Sequence, residues 1–561
     1  MRNIIIVDPY STGYNLVEDV VRRGYNPVVL ETIQEKTKDL EALKGIYAAF
    51  YHKPQIIEEC DCYEDTLKLV KSFEPVLVIA GCETGVPLAT MLADDLGLPG
   101  NSAGNIDYMI KKDAMHEALK QAGIRYIHGK KVKSVKEALD FCAESGFESA
   151  VVKPLRSAGS MGVFLCDNLR EVENAVSTLL SDKDFFGKTQ EEVLVQERIY
   201  GTEYIVNTLT SNGKHRLNTV LRYKKEKTTE GGYIYDYCEY ITKLDAGHAR
   251  MVDYAFKVAD AIHYQNGMIH GEYMVDDKGP VLIEVNCRPM GATQPAEFMD
   301  LITGQHETDS LLDTLLHPEE FEEKMKKPYR LLRKGFMKII IIPRDIEAEN
   351  HPIWEVARQL KSTFKVSAQE SSAVVRYPKT IDFETSGGVI YMVHDDEKVV
   401  EADLNMLRHI EKKYFAFLLN DGMSRRWFID GKTDEVNFTK IIEECHCTGA
   451  VLVAGDEETE IEGAQCITPK SLRDAHKGFD YVIIGYQNSL VERNESECLR
   501  LIFDTMDLVR CGGKVIIPME TYKYLSYERE GAEELMLIKG LTLEAPTDLE
   551  YGKVIGTYEP F

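Results

Sequence analysis

Short apolar runs alternate with helical segments over the first hundred residues, and this alternation constrains the fold more than any other feature. Arg2–Val7 and Tyr25–Glu31 are predicted strands that flank a helix over Thr12–Arg23. Val76–Ala80 is a further predicted strand, and a helix over Pro87–Leu96 follows it. Strands separated by helices form parallel sheets with helices on both faces. We therefore predict a doubly wound α/β domain at the start of the chain.

The segment Asp8–Gly13 joins the first predicted strand to its helix. This position is the edge at which open α/β sheets bind ligands. The segment lacks the G-x-G-x-x-G pattern, so it does not predict a dinucleotide site. A scaffold role and a substrate-contacting role remain equally open for it.

Length and charge exclude several classes of protein. The chain has 561 residues, enough for three to five domains at roughly 100–200 residues each. It carries 66 Lys and Arg against 92 Asp and Glu, a formal net charge of −26, which argues against a nucleic-acid or anionic-membrane partner. No apolar run approaches the ~20 residues of a membrane-spanning helix, and the first is too short for a signal-peptide core. Twelve scattered cysteines are typical of reduced thiols, so a cytoplasmic location is expected.

Pattern changes divide the chain into four predicted parts. Residues 1–105 form the α/β domain described above, and residues 106–315 mix helices with antiparallel strand pairs, which indicates an α+β region. A Lys- and Glu-rich stretch precedes a small α+β unit over 316–420. Residues 421–561 again alternate strands and helices, which predicts a second α/β domain.

The most informative stretch is a predicted hairpin between His270 and Gly291. A three-residue loop, 277–279, with Gly279 in the left-handed conformation would put Asp276 opposite Pro280 and Glu272 opposite Glu284. Alternation then places Glu284, Asn286 and Arg288 on one face. Opposed carboxylates destabilise a sheet unless a cation binds them, and two carboxylates with an amide oxygen suit Mg²⁺. The alternative is an exposed hairpin with solvated charges.

Three further segments point to a nucleotide, although each has an ordinary structural explanation. The loop after Lys153 contains Gly159 and Gly162, whose backbone N–H groups can approach phosphate oxygens while Lys153 supplies a positive charge. The strand end at Gln196 and the carboxylate of Glu203 can meet an adenine edge and ribose hydroxyls. The third segment is the helix predicted over Asp107–Gln121, where Lys112 by itself reads as a solvated lysine.

These segments, in this order and spacing, resemble the ATP-grasp superfamily of carboxylate–amine and carboxylate–thiol ligases over about residues 1–420. The stretches 203–216 and 221–225 look most like the bacterial L-amino acid ligase branch, which makes dipeptides. The resemblance implies a Rossmann-like pre-ATP-grasp domain over 1–105, an ATP-grasp domain over 106–315 with a lid at about 125–195, and a C-terminal subdomain of the ligase over 316–420.

Site roles follow from the resemblance position by position. Glu272, Glu284 and Asn286 are implied to hold two Mg²⁺ ions, with Mn²⁺ as an alternative metal. Arg288 is implied to stabilise the transferred phosphoryl group and the acyl phosphate, and Lys225 to reach the phosphates. Backbone groups of Glu197 and Ile199 are implied to hold adenine. The residues implied to contact ATP are Lys112, Lys153, Ser157, Gly159, Ser160, Gly162, Gln196, Glu197, Ile199 and Glu203.

Two departures from the family pattern bear on specificity. Many relatives carry an acid where this chain has Gln196, which puts nucleotide preference in question. Leu221 replaces a frequent aromatic residue, which does the same for the acceptor pocket. The lack of a convincing Ser/His/Asp or Cys/His constellation agrees with a reaction through an acyl phosphate, which needs no enzyme nucleophile.

The last 141 residues weakly resemble the later half of a class I methyltransferase sheet, through the stretches 479–485 and 509–518. The expected glycine cluster for a methyl donor is missing after Val451–Ala454, where the chain has one glycine, Gly455. We therefore expect a degenerate Rossmann-like domain for interaction or dimerisation.

The leading prediction is thus a ligase that joins an amino-acid carboxylate to an amine with ATP, from small-molecule substrates and with a homodimer possible. The alternatives are an ATP-grasp ligase for a nucleotide precursor or a carboxylation substrate, and a nucleotide-binding regulatory protein without turnover.

Overall fold

The structure is a computed structural model of the whole chain. It describes residues 2–33, 53–155, 162–181, 190–227, 233–342, 346–348, 352–368, 375–381, 383, 385–419, 437–444, 446–457, 459–472, 475–486, 501–502, 504–518, 541–543 and 553–558. The chain forms two compact units, Met1–Leu404 and Asn405–Phe561. Among the described helices, none combines the length and the apolar content needed to cross a bilayer.

The chain begins with a parallel sheet, as its alternating pattern predicts, and the sheet has one strand, Gln55–Glu58, beyond the three that were predicted. Its strands are β1 (Asn3–Val7), β2 (Asn26–Glu31), β3 (Gln55–Glu58) and β4 (Pro75–Ala80), in the order β3-β2-β1-β4. The helices are α1 (Asn15–Arg22), α2 (Tyr63–Lys71) and α3 (Val86–Asp95).

Helices cover both faces of this sheet because β1 is apolar on both sides. Ile4 and Ile6 pack into one core and Ile5 and Val7 into another, and all four are fully buried. The loops at the carboxyl ends of β1 and β4 therefore lie side by side at one edge.

The helix expected over Asp107–Gln121 is two helices, α4 (Ile106–Ile110) and α5 (Lys112–Gln121). Lys111 lies between them with extended backbone angles, φ −107° and ψ 119°, which end the first helix. The break makes Lys112 the first residue of α5 rather than a residue on the side of a long helix.

A four-stranded antiparallel sheet follows. It consists of β5 (Gly129–Val132), β6 (Ala150–Pro154), β7 (Phe164–Cys166) and β8 (Val193–Glu197), in the order β5-β8-β6-β7. Two amphipathic helices, α6 (Val135–Ser145) and α7 (Leu169–Ser181), pack on it through Phe141, Val172 and Val176.

An eight-stranded antiparallel sheet forms the centre of the first unit, with strand order β13-β12-β9-β10-β11-β14-β18-β16. Its strands are β9 (Thr202–Ser211), β10 (Lys214–Lys227), β11 (Tyr233–Tyr240), β12 (Gly267–Asp276), β13 (Gly279–Asn286), β14 (Lys334–Ile340), β16 (Thr363–Ala368) and β18 (Gly388–His394). The helices around it are α8 (Ala246–Ala261), α9 (Ala296–Thr303), α10 (Glu307–Leu316) and α11 (Pro318–Met325). A two-stranded ladder, β15 (Ile346–Ala348) with β17 (Val375–Tyr377), and helix α12 (Pro352–Gln359) lie in the segment before β18.

A long helix, α13 (Glu397–Leu419), contains the border between the two units. In the second unit the elements are α14 (Phe438–Glu444), β19 (Val451–Ala454), β20 (Ala464–Ile467), β21 (Phe479–Ile484), β22 (Val509–Pro518), β23 (Leu541–Leu543) and β24 (Lys553–Tyr558). They form one sheet in the order β20-β19-β21-β22-β24-β23.

The sheet of the second unit is parallel from β20 to β22, and β24 runs antiparallel between β22 and β23. The helix predicted over 497–509 lies outside the described residues up to 500. The structure confirms it over 501–502 and 504–506, but its last predicted residue, Val509, begins β22 instead. The predicted α/β and α+β multidomain class is confirmed, whereas the four-part division of the chain stays a prediction.

Candidate active site

The predicted hairpin exists, and it brings Glu272 opposite Glu284 as expected. The predicted three-residue loop is wrong, because Asp276 pairs with Gly279 and only two residues form the turn. Gly279 has φ +105°, a conformation that favours glycine. An irregularity between Glu272 and Tyr273 inserts Ile283 as an extra residue on β13, and this bulge compensates for the shorter turn.

The two opposed carboxylates are largely shielded from water. The side chains of Glu272 and Glu284 are 16% and 17% exposed. Asn286 pairs with His270 on the same two strands, and its amide nitrogen donates to the His270 carbonyl over 3.4 Å. Three side-chain oxygen donors at one end of a hairpin, with two negative charges, fit a hard cation such as Mg²⁺. Of the predicted metal ligands, the structure therefore keeps all three together.

Lys112 neutralises one of these carboxylates. Its Nζ lies 2.5 Å from Oε2 of Glu284, and both side chains are largely buried. Burial lowers the pKa of Lys112, but the charge and hydrogen bond of Glu284 outweigh it, and the net pKa is raised. A solvated helix lysine, the ordinary explanation of this residue, is therefore excluded.

Lys153 lies on β6 and is 4% exposed. Burial and the positive charge of Lys112 lower its pKa to about 8, against the opposing effect of Glu284 and Glu272. A buried ammonium that is only weakly held in its charged form gains from an anionic ligand, because the ligand supplies the missing counter-charge.

A second ion pair joins β9 and β10. Lys225 Nζ lies 2.9 Å from Oε1 of Glu203 and 4.4 Å from the centroid of the Tyr235 ring. Burial lowers the pKa of Lys225, but the charge of Glu203 outweighs it, so the pKa is raised. Burial raises the pKa of Glu203, against the opposing effect of Lys225. The residues predicted to contact phosphate and ribose thus bind each other in this structure.

The strand end predicted to hold adenine is β8. Gln196 is 2% exposed and pairs with Gly129 on β5 and with Val151 on β6. The backbone N–H of Glu197 donates to the His128 carbonyl over 2.8 Å, so this group is already engaged. The predicted adenine contact of Glu197 therefore has to come from its carbonyl or its side chain.

Ile199 is half-buried in the segment after β8. Of the predicted phosphate loop, Ser157, Gly159 and Ser160 lie outside the described residues. Gly162 is described and has φ +70°.

Arg288 extends toward the N-terminal sheet. Its Nε lies 3.4 Å from Oε2 of Glu83, which follows β4. Glu83 also raises the pKa of Lys112 through its charge, so it belongs to the same electrostatic cluster. The site is therefore built from both the N-terminal sheet and the central hairpin.

Two loops with left-handed backbone meet beside this ion pair. Asp8 and Ser11, after β1, have φ 47° and 51°, and Ala292 and Thr293, after β13, have φ 66° and 47°. Thr293 N donates to Ser11 Oγ over 3.0 Å, and Thr12 Oγ1 donates to the carbonyl of Gly291 over 3.1 Å. Non-glycine residues in this region are strained, and such strain concentrates at functional sites.

The side chain of Asp8 has a scaffold role. It is fully buried, and it accepts hydrogen bonds from the hydroxyls of Thr32 and Thr84 at 2.7 Å and 2.6 Å. These bonds tie the ends of β1, β2 and β4 together. The Asp8 side chain therefore supports the scaffold, whereas the role of the rest of the loop stays a prediction.

A buried polar chain supports the hairpin from behind. His270 Nδ1 lies 2.9 Å from Asn207 Oδ1, and Asn207 Nδ2 donates to Glu307 Oε1 over 2.5 Å. Glu307 is 1% exposed, and its other oxygen accepts from the backbone of Met290 over 3.0 Å. His270 Nε2 lies 3.5 Å from Glu272 Oε1. One carboxylate thus braces both Glu272 and the segment that carries Arg288.

Sequence reasoning missed Glu83, Glu307 and His116. His116 lies one turn after Lys112, and burial together with Lys153 lowers its pKa to about 3, so its imidazole is neutral. Glu83 could have been predicted from the sequence, because it follows a parallel strand at the edge where such sheets bind ligands. Glu307 opens α10 and carries no local signal of its partner Asn207.

Comparison with known proteins supports the predicted resemblance. An ATP-grasp domain model matches residues 147–296. The chain contains an ATP-grasp domain. The chain is 26% identical over 424 residues to dapdiamide A synthase of Enterobacter agglomerans, a match that covers 74% of this chain and 98% of the relative.

Two solved structures share the fold. The L-amino acid ligase from Bacillus licheniformis gives a TM-score of 0.54 at 18% identity, covering 72% of this chain and 97% of the other. Carboxyaminoimidazole ribonucleotide synthase from Aspergillus clavatus gives a TM-score of 0.54 at 14% identity, covering 73% of this chain and 99% of the other. The predicted resemblance to the ATP-grasp ligases, near the amino acid ligases, and the predicted class of ATP-dependent ligase are confirmed.

Proposed function

We propose that this ATP-grasp protein joins the carboxylate of an amino acid to an amine, forming an amide and releasing ADP and phosphate. The observation that carries the proposal is the cluster of Lys112 and Lys153 around the Glu272/Glu284 pair. Two buried ammonium groups beside two opposed carboxylates form a site for a metal-bound polyphosphate. The likeness to dapdiamide A synthase, a synthase matched over nearly its whole length, supports amide formation.

Each charged residue has a proposed role in this site. Glu272, Glu284 and Asn286 hold Mg²⁺, proposed as two ions, which lowers the charge of the triphosphate. Lys112 and Lys153 bind the phosphates, for which Lys112 exchanges Glu284 for a phosphate oxygen. The segment Gln196–Ile199 holds adenine, and Glu203 binds ribose when Lys225 turns from it to the phosphates.

The chemistry follows from the leaving group. A carboxylate does not react with an amine directly, because oxide would have to leave. Transfer of the γ-phosphoryl group to the carboxylate gives an acyl phosphate and ADP, and amine attack then expels phosphate. Arg288, 15% exposed, is proposed to bind the transferred phosphoryl group by charge-assisted hydrogen bonds. The segment 125–195 is proposed to exclude water, so that the amine and not water attacks.

Phosphate release on mixing the protein with ATP, Mg²⁺ and a panel of amino acids tests the proposal. Turnover that needs an amino acid and yields an amide, detected by mass spectrometry, is the expected result. Turnover only with a nucleotide precursor or bicarbonate would assign the protein to another branch of ligases. ATP binding without turnover for any carboxylate would contradict a ligase function.

A further inference from the structure

The contact between Arg288 and Glu83 brings together opposite charges from two distant parts of the first unit. Arg288 follows β13 and Glu83 follows β4, and the nearest atoms lie 3.4 Å apart. Both side chains are partly enclosed, at 15% and 36% exposed. A direct pair at this distance is looser than the bidentate contact that Arg and a carboxylate can form.

The loop of Glu83 is held rigidly. Gly81 donates its backbone N–H to the Val7 carbonyl over 2.8 Å, and the Thr84 hydroxyl donates to Asp8 over 2.6 Å. A Cβ on Gly85 would lie 2.5 Å from the Val7 carbonyl oxygen, so this loop packs directly on the end of β1. The backbone that carries Glu83 is therefore anchored to β1, which favours recognition of a ligand by its carboxylate.

An α-amino acid carries a carboxylate and an ammonium group on one carbon. Under the proposed function, Arg288 binds the phosphoryl group that is transferred to the substrate carboxylate, so this carboxylate lies next to Arg288. A protein carboxylate in contact with that guanidinium is then within reach of the group attached to the same α-carbon. An ammonium there gains a charge-assisted hydrogen bond, whereas a hydroxyl or an acylated nitrogen gains much less.

We propose that Glu83 binds the α-ammonium group of the amino acid whose carboxylate is activated, and thereby selects substrates with a free α-amine. In the absence of substrate, Glu83 and Arg288 neutralise each other. A zwitterionic substrate replaces this one contact by two, ammonium to Glu83 and carboxylate to Arg288, without leaving either charge unpaired. This inference rests on the proposed function, since it takes Arg288 as the residue beside which the substrate carboxylate is phosphorylated.

The test compares Glu83→Gln with the unchanged protein on matched substrates. Each amino acid that supports phosphate release is assayed beside its 2-hydroxy analogue, which keeps the carboxylate and lacks the ammonium. We expect Glu83→Gln to lower kcat/KM for the amino acid by roughly 10- to 100-fold and to change that for the hydroxy acid less than 3-fold, which removes the preference. The KM for ATP stays unchanged. Glu58→Gln, exposed on β3, is the control variant and keeps the full preference.

Two results would overturn the inference: an equal loss for both substrates, which assigns Glu83 to the support of Arg288 alone, or no loss for either. Failure of the ligase function has a different signature, because no carboxylate then gives phosphate release with the unchanged protein. Thermal shifts with the same amino acids still decide the inference in that case. It holds if an amino acid stabilises the unchanged protein but not Glu83→Gln, and it is wrong if both respond alike or neither responds.

Discussion

Lys112 Nζ and Glu284 Oε2 lie 2.5 Å apart, although one opens a helix and the other lies near the end of a strand far along the chain. The contact shows that the protein itself supplies a cation to the Glu272/Glu284 pair. The metal-bound nucleotide proposed for this site would therefore compete with Lys112 for Glu284.

Glu284→Ala tests the metal assignment. We expect kcat to fall at least about 100-fold, because a ligand of the proposed metal is lost. Circular dichroism and cooperative unfolding should be retained, because the repulsion from Glu272 that is removed offsets part of the lost pairing with Lys112. Asp277→Ala, exposed at the tip of the same hairpin, is the control and should keep full activity. Equal activity in Glu284→Ala and Asp277→Ala would refute the assignment.

The lowered pKa of Lys153 predicts a pH dependence of ATP use. Because that pKa is about 8, the side chain is charged below pH 8 and loses its charge above it. The value of kcat/KM for ATP, which reports the free enzyme, should therefore fall roughly tenfold for each pH unit above about 8. In Lys153→Arg the fall should move beyond pH 9.5, because arginine stays protonated. A decline at the same pH in both proteins would assign the titration to another group.

Glu307 is predicted to contribute mainly through the hydrogen bonds that it accepts. Glu307→Ala leaves the Asn207 amide and the Met290 N–H without their partner, at a cost of about 2–4 kcal/mol in unfolding free energy. Glu307→Gln keeps one acceptor oxygen for two donors, so its free energy of unfolding should lie between those of the wild type and Glu307→Ala. Denaturant unfolding measures these free energies. As a control, Glu319→Ala, at a side chain that is 70% exposed, should change the free energy of unfolding by less than about 0.5 kcal/mol. Full stability of Glu307→Ala would show that water replaces the carboxylate.

His306 is predicted to make stability depend on alkaline pH. Its ring nitrogens bind Asp19 and Asp300, each at 3.0 Å or less, and Asp309 is near. Burial opposes the charged ring, but the two aspartates outweigh it and raise the pKa of His306 to about 9. The charged ring therefore stabilises the folded protein fully below the pKa of histidine in the unfolded chain, near 6.5, and this stabilisation is lost as the pH rises through about 9.

The comparison of wild type with His306→Gln isolates this effect. The stability difference between the two proteins should be on the order of 2–3 kcal/mol near pH 6 and should shrink toward pH 9.5. Unfolding midpoints measured across this pH range give the difference. A difference that is constant with pH would mean that the ring is neutral throughout.

The sequence predicts the chemistry of the hairpin better than its backbone. Alternation fixes which residues share a face, so Glu272 and Glu284 could be paired from the pattern alone. The turn length was wrong by one residue, and the bulge at Ile283 restored the pairing. A bulge depends on packing around the strand and leaves no mark in a period-two pattern.

Other parts of the site depend on contacts between distant segments. The break at Lys111 gave no proline or glycine signal, yet it sets the direction of Lys112. The pairs Arg288–Glu83 and Asn207–Glu307 join residues far apart in the chain, and no local periodicity reports them. The parallel N-terminal sheet, in contrast, follows from local patterns, and three of its four strands were predicted nearly at their bounds, whereas β3 was not predicted.

The left-handed backbone in the two loops that carry Ser11 and Thr293 has a practical consequence for engineering. Ser11 and Thr293 use their side chains or backbone to join the two loops, so neither is free to change. Ala292 offers only a methyl group, at φ 66°, where glycine is unstrained. Ala292→Gly should therefore raise the free energy of unfolding by on the order of 0.5–1 kcal/mol. The same substitution would give more conformational freedom to the segment that positions Arg288. Higher stability would therefore be gained at the expense of the placement of the Arg288 side chain.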